Sequence, residues 1–411
     1  MEKEVSDVIC PLPWVHLSSD LDGAMRICCN TYYPGTIVDK NDRTISIYEI
    51  ETLEEYFNKS SLVEIRKKML RGVRPKICSK CYDQEDLGII SVRNKFNEIY
   101  NKNEKYRKQL LDTSEDGEIE VKVQSIDISL TNVCNLMCIM CSPRASTSLK
   151  KYFDMNKIEY DKNFYQKASN KSANDITIKL IENLGHDLGE YLTTGGEPFL
   201  NKAHLNAVKM LVKSGESKKI KLTYNTNLTI WSEDLAALWE EFKLVEIHIS
   251  IDGYGKLNEY IRYGSKWNSI LRNLEKLKGR KNLSIQIHCA VQILNIFNID
   301  DLHRWISSIN EIEIKNIYFN YVTEPGWLDI RALPWSYKKL AWARILKILE
   351  NKDCRFHPNM RDLMLYLKEK NTLLEADETK RVVIKKKLLR YQEHNQLEDI
   401  CEMVPELKYL F

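Results

Sequence analysis

The 411-residue chain contains no apolar run approaching the roughly 20 residues that a membrane-spanning helix requires. Its opening, MEKEVSDVICPLPW, has neither the basic segment, the apolar core nor the small-residue cleavage site of a secretory leader. A strong charge of either sign is also missing. The 61 Lys and Arg against 58 Asp and Glu leave a net charge of +3, too mild to imply a nucleic-acid partner. No fixed-period repeat and no low-complexity segment interrupts the chain. The expectation is therefore a cytoplasmic protein with no membrane partner. Hydrophobic residues at 43% and charged residues at 29% are ordinary for a globular fold. In a reducing compartment the eleven cysteines are not a disulfide framework, and clustered ones read as metal ligands.

The cysteines do cluster. Five lie near the amino end (Cys10, Cys28, Cys29, Cys78, Cys81), and three fall within CNLMCIMC (Cys134, Cys138, Cys141). The remaining Cys289, Cys354 and Cys401 sit in apolar or helical contexts and read as inert core thiols. A closed structural zinc site or a fully ligated iron-sulfur cluster wants four ligands, so the central triplet leaves one metal corner open. A zinc knuckle or a set of incidental buried thiols is the plainer alternative at that point.

A polar, charge-rich stretch at 101 to 120, ending in LDTSEDGE, separates an N-terminal segment from a central one. From Val121 to about Tyr321 short β-rich runs alternate with helical ones. Strands are expected at 125–130, 189–194, 219–224, 245–251, 283–291 and 315–322. Six strands spaced by helices imply repeated βα units, a parallel sheet curling toward a barrel, and chemistry at the carboxyl ends of the strands. CNLMCIMC falls directly after the first of them. From Leu333 the pattern is helical. Its apolar positions read as a packing face, and Lys385-Lys386-Lys387 read as a solvated helix face.

Further motifs follow successive strands. After the second comes Gly195-Gly196-Glu197-Pro198, where two glycines permit close backbone approach and the carboxylate suits an ammonium group. After the third comes Asn225-Thr226-Asn227, for which a simple Asn-rich turn is the equal alternative. The fourth ends HISIDG, putting Ser250 and Asp252 on one side, and Arg262 follows ten residues later. After the fifth comes Asn295, within VQILN.

The ordered set CxxxCxxC, GGEP, SxDG, IRYG and VQILN resembles the signature of radical S-adenosylmethionine (SAM) enzymes. That resemblance implies that Cys134, Cys138 and Cys141 hold three irons of a 4Fe-4S cluster while SAM chelates the fourth. It further implies that Gly195, Gly196, Glu197 and Pro198 receive the SAM amine and that Ser250 and Asp252 contact the ribose. Arg262 then pairs with the carboxylate, while Asn227 and Asn295 add polar contacts. The residue before the third cysteine is commonly aromatic in the family. Here it is Met140, whose thioether can pack on adenine. The implied chemistry is one-electron cleavage of SAM to a 5'-deoxyadenosyl radical that abstracts hydrogen from substrate, fed by a low-potential donor such as flavodoxin or ferredoxin.

The N-terminal stretch CPLPWVHLSSDLDGAMRICC with its later Cys78-Ser-Lys-Cys81 resembles a SPASM or Twitch auxiliary module, here placed before the barrel. That implies a second 4Fe-4S cluster on Cys10, Cys28, Cys78 and Cys81, with Cys29 as a substitute for Cys28 and zinc as the alternative metal. On strands four to six, His248, Gln286, His288, Gln292, Tyr318 and Asn320 share parity with the motif residues. They are expected to line the lumen, with His248, His288 or Tyr318 exchanging a proton or hydrogen atom. Satisfied core histidines are the alternative. The expected architecture is α/β: an auxiliary module at 1–105, a partial (β/α)6 TIM-like barrel at 121–332 and a helical region at 333–411. The expected substrate is a peptide or protein, with a nucleotide, sugar or other small molecule second and a non-catalytic iron-sulfur or zinc protein as the reading of another class.

Overall fold

The computed structural model describes residues 7–32, 35–129, 131–160, 179–182, 184, 187–351, 356–369 and 378–410. Cys354 and Leu130 lie outside the described residues. The six expected strands are all present: β3 (Ser125–Ile128), β4 (Glu190–Thr193), β5 (Lys221–Thr226), β6 (Leu244–Ser250), β7 (Leu283–Val291) and β8 (Ile314–Tyr321). Two shorter strands precede them, β1 (His16–Ser19) and β2 (Met25–Arg26). They raise the sheet to eight strands in the order β2-β1-β3-β4-β5-β6-β7-β8. The pairings of β1 with β3, β3 with β4, β4 with β5 and β7 with β8 are parallel, while β2 runs antiparallel to β1. Mixed sheets carrying an antiparallel edge strand are common in α/β folds.

The chain divides into two compact units. The first comprises Met1–Val133, Glu159–Tyr224 and Glu233–Val245, the second Cys134–Ile158, Asn225–Ser232 and Glu246–Phe411. In the first, Leu17 of β1 registers with Ile126 of β3 and both are fully buried. The N-terminal cysteine segment is thus tied into the sheet through β1. Trp14 anchors it, donating from Nε1 to Thr113 Oγ1 at 2.9 Å and accepting at its carbonyl from Gln109 at 3.0 Å. Arg66 is fully buried without a carboxylate partner. Its guanidinium donates to the carbonyls of Gly117, Pro13 and Phe57 at 2.7, 2.9 and 2.7 Å, and burial lowers its pKa to about 10. Five donors in a planar fork let one side chain tie together two helices and a turn.

In the second unit the strands alternate. Ile247 and Ile249 of β6 are buried while Glu246, His248 and Ser250 are half-buried. Along β7, Ile287, Cys289 and Val291 are buried and Gln286 and His288 half-buried. The apolar parity packs inward on itself and leaves a polar parity on the other face, as period-two geometry requires. Cys289 is therefore a core thiol, as expected. Helices Trp335–Glu350, His357–Lys368 and Glu378–Asn395 make up the helical region after Leu333. Among the described residues no helix is long and apolar enough to cross a membrane.

Candidate functional site

The cysteine loop of the second unit is fixed by its backbone. Met137 N–H donates to Tyr263 O at 2.8 Å and Ile139 N–H to Ile261 O at 2.9 Å, so the loop pairs with the segment that ends in Arg262. Gly264 packs there at φ +95°, a conformation that side-chain-bearing residues rarely adopt. At the other end Ser146 caps the following helix, Thr147–Met155, by accepting from Leu149 N–H, and its hydroxyl donates to Leu136 O at 2.6 Å. Ser148 Oγ donates to Cys134 O at 2.8 Å. Tyr391, from the distant helix Glu378–Asn395, donates from its hydroxyl to the carbonyls of Tyr260 and Met137 at 3.1 and 3.4 Å.

Burial pushes the Cys138 thiol well up, and the neighbouring Cys141 and Cys134 add to it while Arg262 opposes. Cys141 is raised to about 11, first by burial and then by Cys134. Thiols raised in this way ionise more readily beside a compensating cation, and that is what thiolate ligation of a metal supplies.

Around this loop the structure places the other expected residues. Asp252 is fully buried and ion-paired with Arg262, Oδ2 to Nε at 2.8 Å, and it also accepts from Ala290 N–H at 2.7 Å. Burial raises its pKa against the opposing pull of Arg262. The Asp252 carboxylate thus holds Arg262 beside Cys138. Ser250, two residues earlier, lies half-buried on the polar parity. Asn295 is buried with its amide engaged by other parts of the chain, donating to Asp252 O and Ala290 O at 2.8 and 3.0 Å and accepting from Gln292 N–H at 2.8 Å. Gln292 in turn points its Nε2 at Met140 Sδ, 3.9 Å away. Asn227 accepts from Thr229 N–H at 2.9 Å and donates to Asn135 Oδ1 at 3.1 Å, while Asn135 donates to Thr229 Oγ1 at 2.8 Å. That triangle ties the loop after β5 to the residue following Cys134. Asn135, Thr229 and Tyr391 were not foreseen, because nothing local in their sequence marks a contact made across 90 residues or more.

A second polar row crosses β5 to β8. His248 Nδ1 meets Asn225 Oδ1 at 3.0 Å and its Nε2 meets Glu246 Oε1 at 2.7 Å. The His248 and His288 rings stack with centroids 4.0 Å apart and 14° between planes, and Tyr318 stands edge-on to His288 at 5.2 Å. His288 and Tyr318 are register partners on β7 and β8. The three residues expected to exchange protons or hydrogen atoms are thus brought together in one row.

In the first unit, Gly195 and Gly196 have φ of +81° and +58°. A Cβ on Gly196 would stand 2.5 Å from Val133 O, so only glycine allows this close approach. Glu197 is fully buried, its N–H donating to Val133 O at 2.8 Å and its carboxylate accepting from Phe199 N–H at 3.2 Å at the start of the Pro198–Leu200 turn. At the end of β3, Asp127 accepts from Thr194 at 2.7 Å, and burial raises its pKa to about 6. This carboxylate was not singled out from sequence.

Also in the first unit, the thiols of Cys10, Cys28, Cys78 and Cys81 act on one another. Burial raises Cys10, with Cys78 and Cys81 adding to it; Cys28 is raised by burial, then by its neighbours Cys29, Cys10 and Cys81; Cys78 by burial, then by Cys28 and Cys81. Burial raises Cys29 to about 12, with Asp127 adding to it and Arg26 opposing. Among the described residues no three His, Cys, Asp or Glu side chains stand at metal-holding distances. Both thiol sets fit iron-sulfur ligation by the chemistry of their donors.

Residues 128–306 match the family model described as the Radical SAM superfamily. The chain is similar to a GTP 3',8-cyclase of Synechocystis sp. (strain ATCC 27184 / PCC 6803 / Kazusa), 28% identical over 202 residues, 48% of this chain and 55% of that protein. It is also similar to a GTP 3',8-cyclase of Peptoclostridium acidaminophilum, 24% identical over 200 residues, 48% of this chain and 55% of that protein. The chain spans about half the length of these curated relatives. Among solved structures it resembles Streptococcus suis SuiB, at 14% identity and a TM-score of 0.41 over 86% of this chain and 70% of that one. It also resembles SuiB bound to precursor peptide SuiA, at 16% identity and a TM-score of 0.39 over 76% and 68%.

Proposed function

Because residues 128–306 place the chain in the radical SAM superfamily, we propose that it is an enzyme that cleaves SAM at the Cys134–Cys138–Cys141 loop and directs the resulting radical at a nucleotide. The observation that carries the SAM reading is the loop itself: three half-buried cysteines within eight residues, on a loop whose backbone pairs with the segment around Arg262, with Arg262 held in place by Asp252. When bound, a reduced 4Fe-4S cluster supplies one electron to SAM and so releases a 5'-deoxyadenosyl radical.

The chain's own residues do the rest. Cys134, Cys138 and Cys141 are the residues that would hold the cluster, at which SAM would bind. The Gly195-Gly196 turn clears side chains from a backbone approach. Met140, steadied by Gln292, offers a thioether face to adenine, and Ser250 offers a hydroxyl to ribose. Cys10, Cys28, Cys78 and Cys81 hold the second cluster, whose four thiolates would close it.

The His248–His288 stack supports a nucleotide over the peptide expected first. Two parallel imidazoles 4.0 Å apart form a flat stack, with Glu246 and Asn225 holding His248 by hydrogen bonds. The likeness to GTP 3',8-cyclases across about half their length favours the same class. In this reading His248, oriented by Glu246 and Asn225, takes or gives a proton on the substrate in a step separate from removal of the hydrogen atom. The test is anaerobic reconstitution followed by SAM, dithionite, and either purine nucleoside triphosphates or a peptide library, with 5'-deoxyadenosine and substrate loss measured together. Nucleotide-dependent turnover supports the proposal. Turnover on peptide alone would move the substrate assignment, and no 5'-deoxyadenosine under any condition would end the SAM reading.

A further inference from the structure

The mechanism leaves one feature unused: a cleft of about 560 Å³ in the second unit that reaches Cys138 and Cys141. Its walls are aromatic, from Tyr152, Phe153 and Trp327, and one side is the helix Glu378–Asn395. Among its described side chains that helix carries four cations (Lys385, Lys386, Lys387, Arg390) against one acid (Glu393), an excess of three positive charges that equals the net +3 of the whole chain. The lysine run does not simply spread around a solvated helix. Ile384 and Leu388 are buried, which turns Lys387 and Arg390, both exposed, to the cleft beside Tyr391. Tyr391 is the residue whose hydroxyl reaches Met137 O within the cysteine loop. Among the described residues neither Lys387 nor Arg390 has an ion-pair partner. The nearby acids are engaged elsewhere, Asp154 with Lys150 and Asp399 with Gln392 and Lys385.

We propose that this cleft and the cationic helix beside it are the docking surface for the electron donor, an acidic protein carrying a flavin or iron-sulfur group near its surface. The inference rests on the reading of the cysteine loop as the electron acceptor. Charge complementarity selects the partner: a concentrated positive face steers an acidic protein and fixes its orientation. The cleft lets the partner's redox group come up to the loop at Cys138 and Cys141. One electron leaves the donor and enters the acceptor held by the loop, and no bond is made or broken at the docking surface. A small helix-borne patch suits the brief encounters typical of redox partners.

The experiment titrates oxidised flavodoxin into the full-length reconstituted protein and reads binding from the flavin fluorescence, for the unaltered chain, Lys387→Glu/Arg390→Glu and the control Lys209→Glu/Lys213→Glu. Lys209 and Lys213 are exposed on another helix, Lys202–Lys213, and give the same change in charge. The expected result is a Kd raised roughly tenfold or more at low salt by the Lys387/Arg390 change alone, with the difference shrinking as salt is added. Dithionite-driven SAM cleavage should be equal in all three proteins, while flavodoxin-driven cleavage falls only in the Lys387/Arg390 variant. Equal flavodoxin affinity in the two charge-reversed proteins would overturn the docking surface. So would a parallel loss of dithionite-driven cleavage, which would assign Lys387 and Arg390 to the site itself. Absence of SAM cleavage in the unaltered chain would count against the proposed function, and the binding comparison would still decide the docking surface.

Discussion

Replacing Arg262 by methionine tests the electrostatic arrangement behind the cysteine loop. Arg262 and Asp252 are paired at 2.8 Å with the carboxylate fully buried and the guanidinium side chain 12% exposed. Removing one partner of a buried pair leaves the other as an uncompensated charge, a loss of roughly 3–5 kcal/mol. The loss has a signed pH dependence. Burial already raises Asp252 above its ordinary 3.8, and Arg262 is the first influence pulling it back. Without the guanidinium the folded-state pKa moves higher, so the native state binds more protons than the unfolded state from pH 3.8 upward. Stability then falls as pH rises through that window. The Arg262→Met variant should therefore be much less stable at pH 8 than at pH 5, relative to the unaltered protein. Adding Asp252→Asn should recover most of the loss at pH 8, because an amide carries no charge to strand. Urea titrations at both pH values, followed by the fluorescence of Trp267 and Trp305, which pack 4.8 Å apart in the same unit, read the effect. A loss that is the same at both pH values, and that adds simply with Asp252→Asn, would refute the reasoning.

Gly196→Ala should cost roughly 1–3 kcal/mol and weaken SAM binding measured by calorimetry, because a methyl group would press on Val133 O at 2.5 Å. Gly215→Ala has a similar φ of +77° and open space, and should cost only about 1 kcal/mol with SAM affinity unchanged. Iron analysis after reconstitution should give about eight irons per chain, about four for Cys28→Ala or for Cys138→Ala, and an undiminished content for Cys29→Ala. Below neutral pH the first unit should weaken. Burial lowers His16 from 6.5 to about 4, so the folded state resists a proton the unfolded chain accepts, and stability on the order of 3 kcal/mol is lost as pH falls from 6.5 to 4. Thermal scans of the unaltered protein and a His16→Asn variant across that range check it, the variant being the flatter of the two. His248→Gln should keep SAM cleavage but uncouple it from substrate turnover, seen as 5'-deoxyadenosine formed without product.

The parts of the fold that could be read from sequence are those whose signals are local. The apolar run LSIQIHCAV is β7 over all nine residues, and the GGEP and CNLMCIMC turns follow their strands as spacing requires. The strands β1 and β2 were not legible. HLSS has the polar look of a loop and becomes a strand because Leu17 and Ser18 have β3 to pair with. The roles of Asp252 and Asn295 were legible as positions but not as partners. Both lie where ligand contacts were expected, yet their polar atoms close onto Arg262, Ala290 and Gln292, partners set by packing between loops.

The hydroxyl of Tyr391 reaches back 254 residues to steady the loop that follows Cys134. A polypeptide leaving the ribosome exposes the three central thiols long before the helix that braces them has been made. During that interval they are open to oxidation and to stray metals, so correct iron loading belongs after synthesis of the helix Glu378–Asn395, and a chain cut short before Glu378 would carry all three loop cysteines yet assemble its centre poorly.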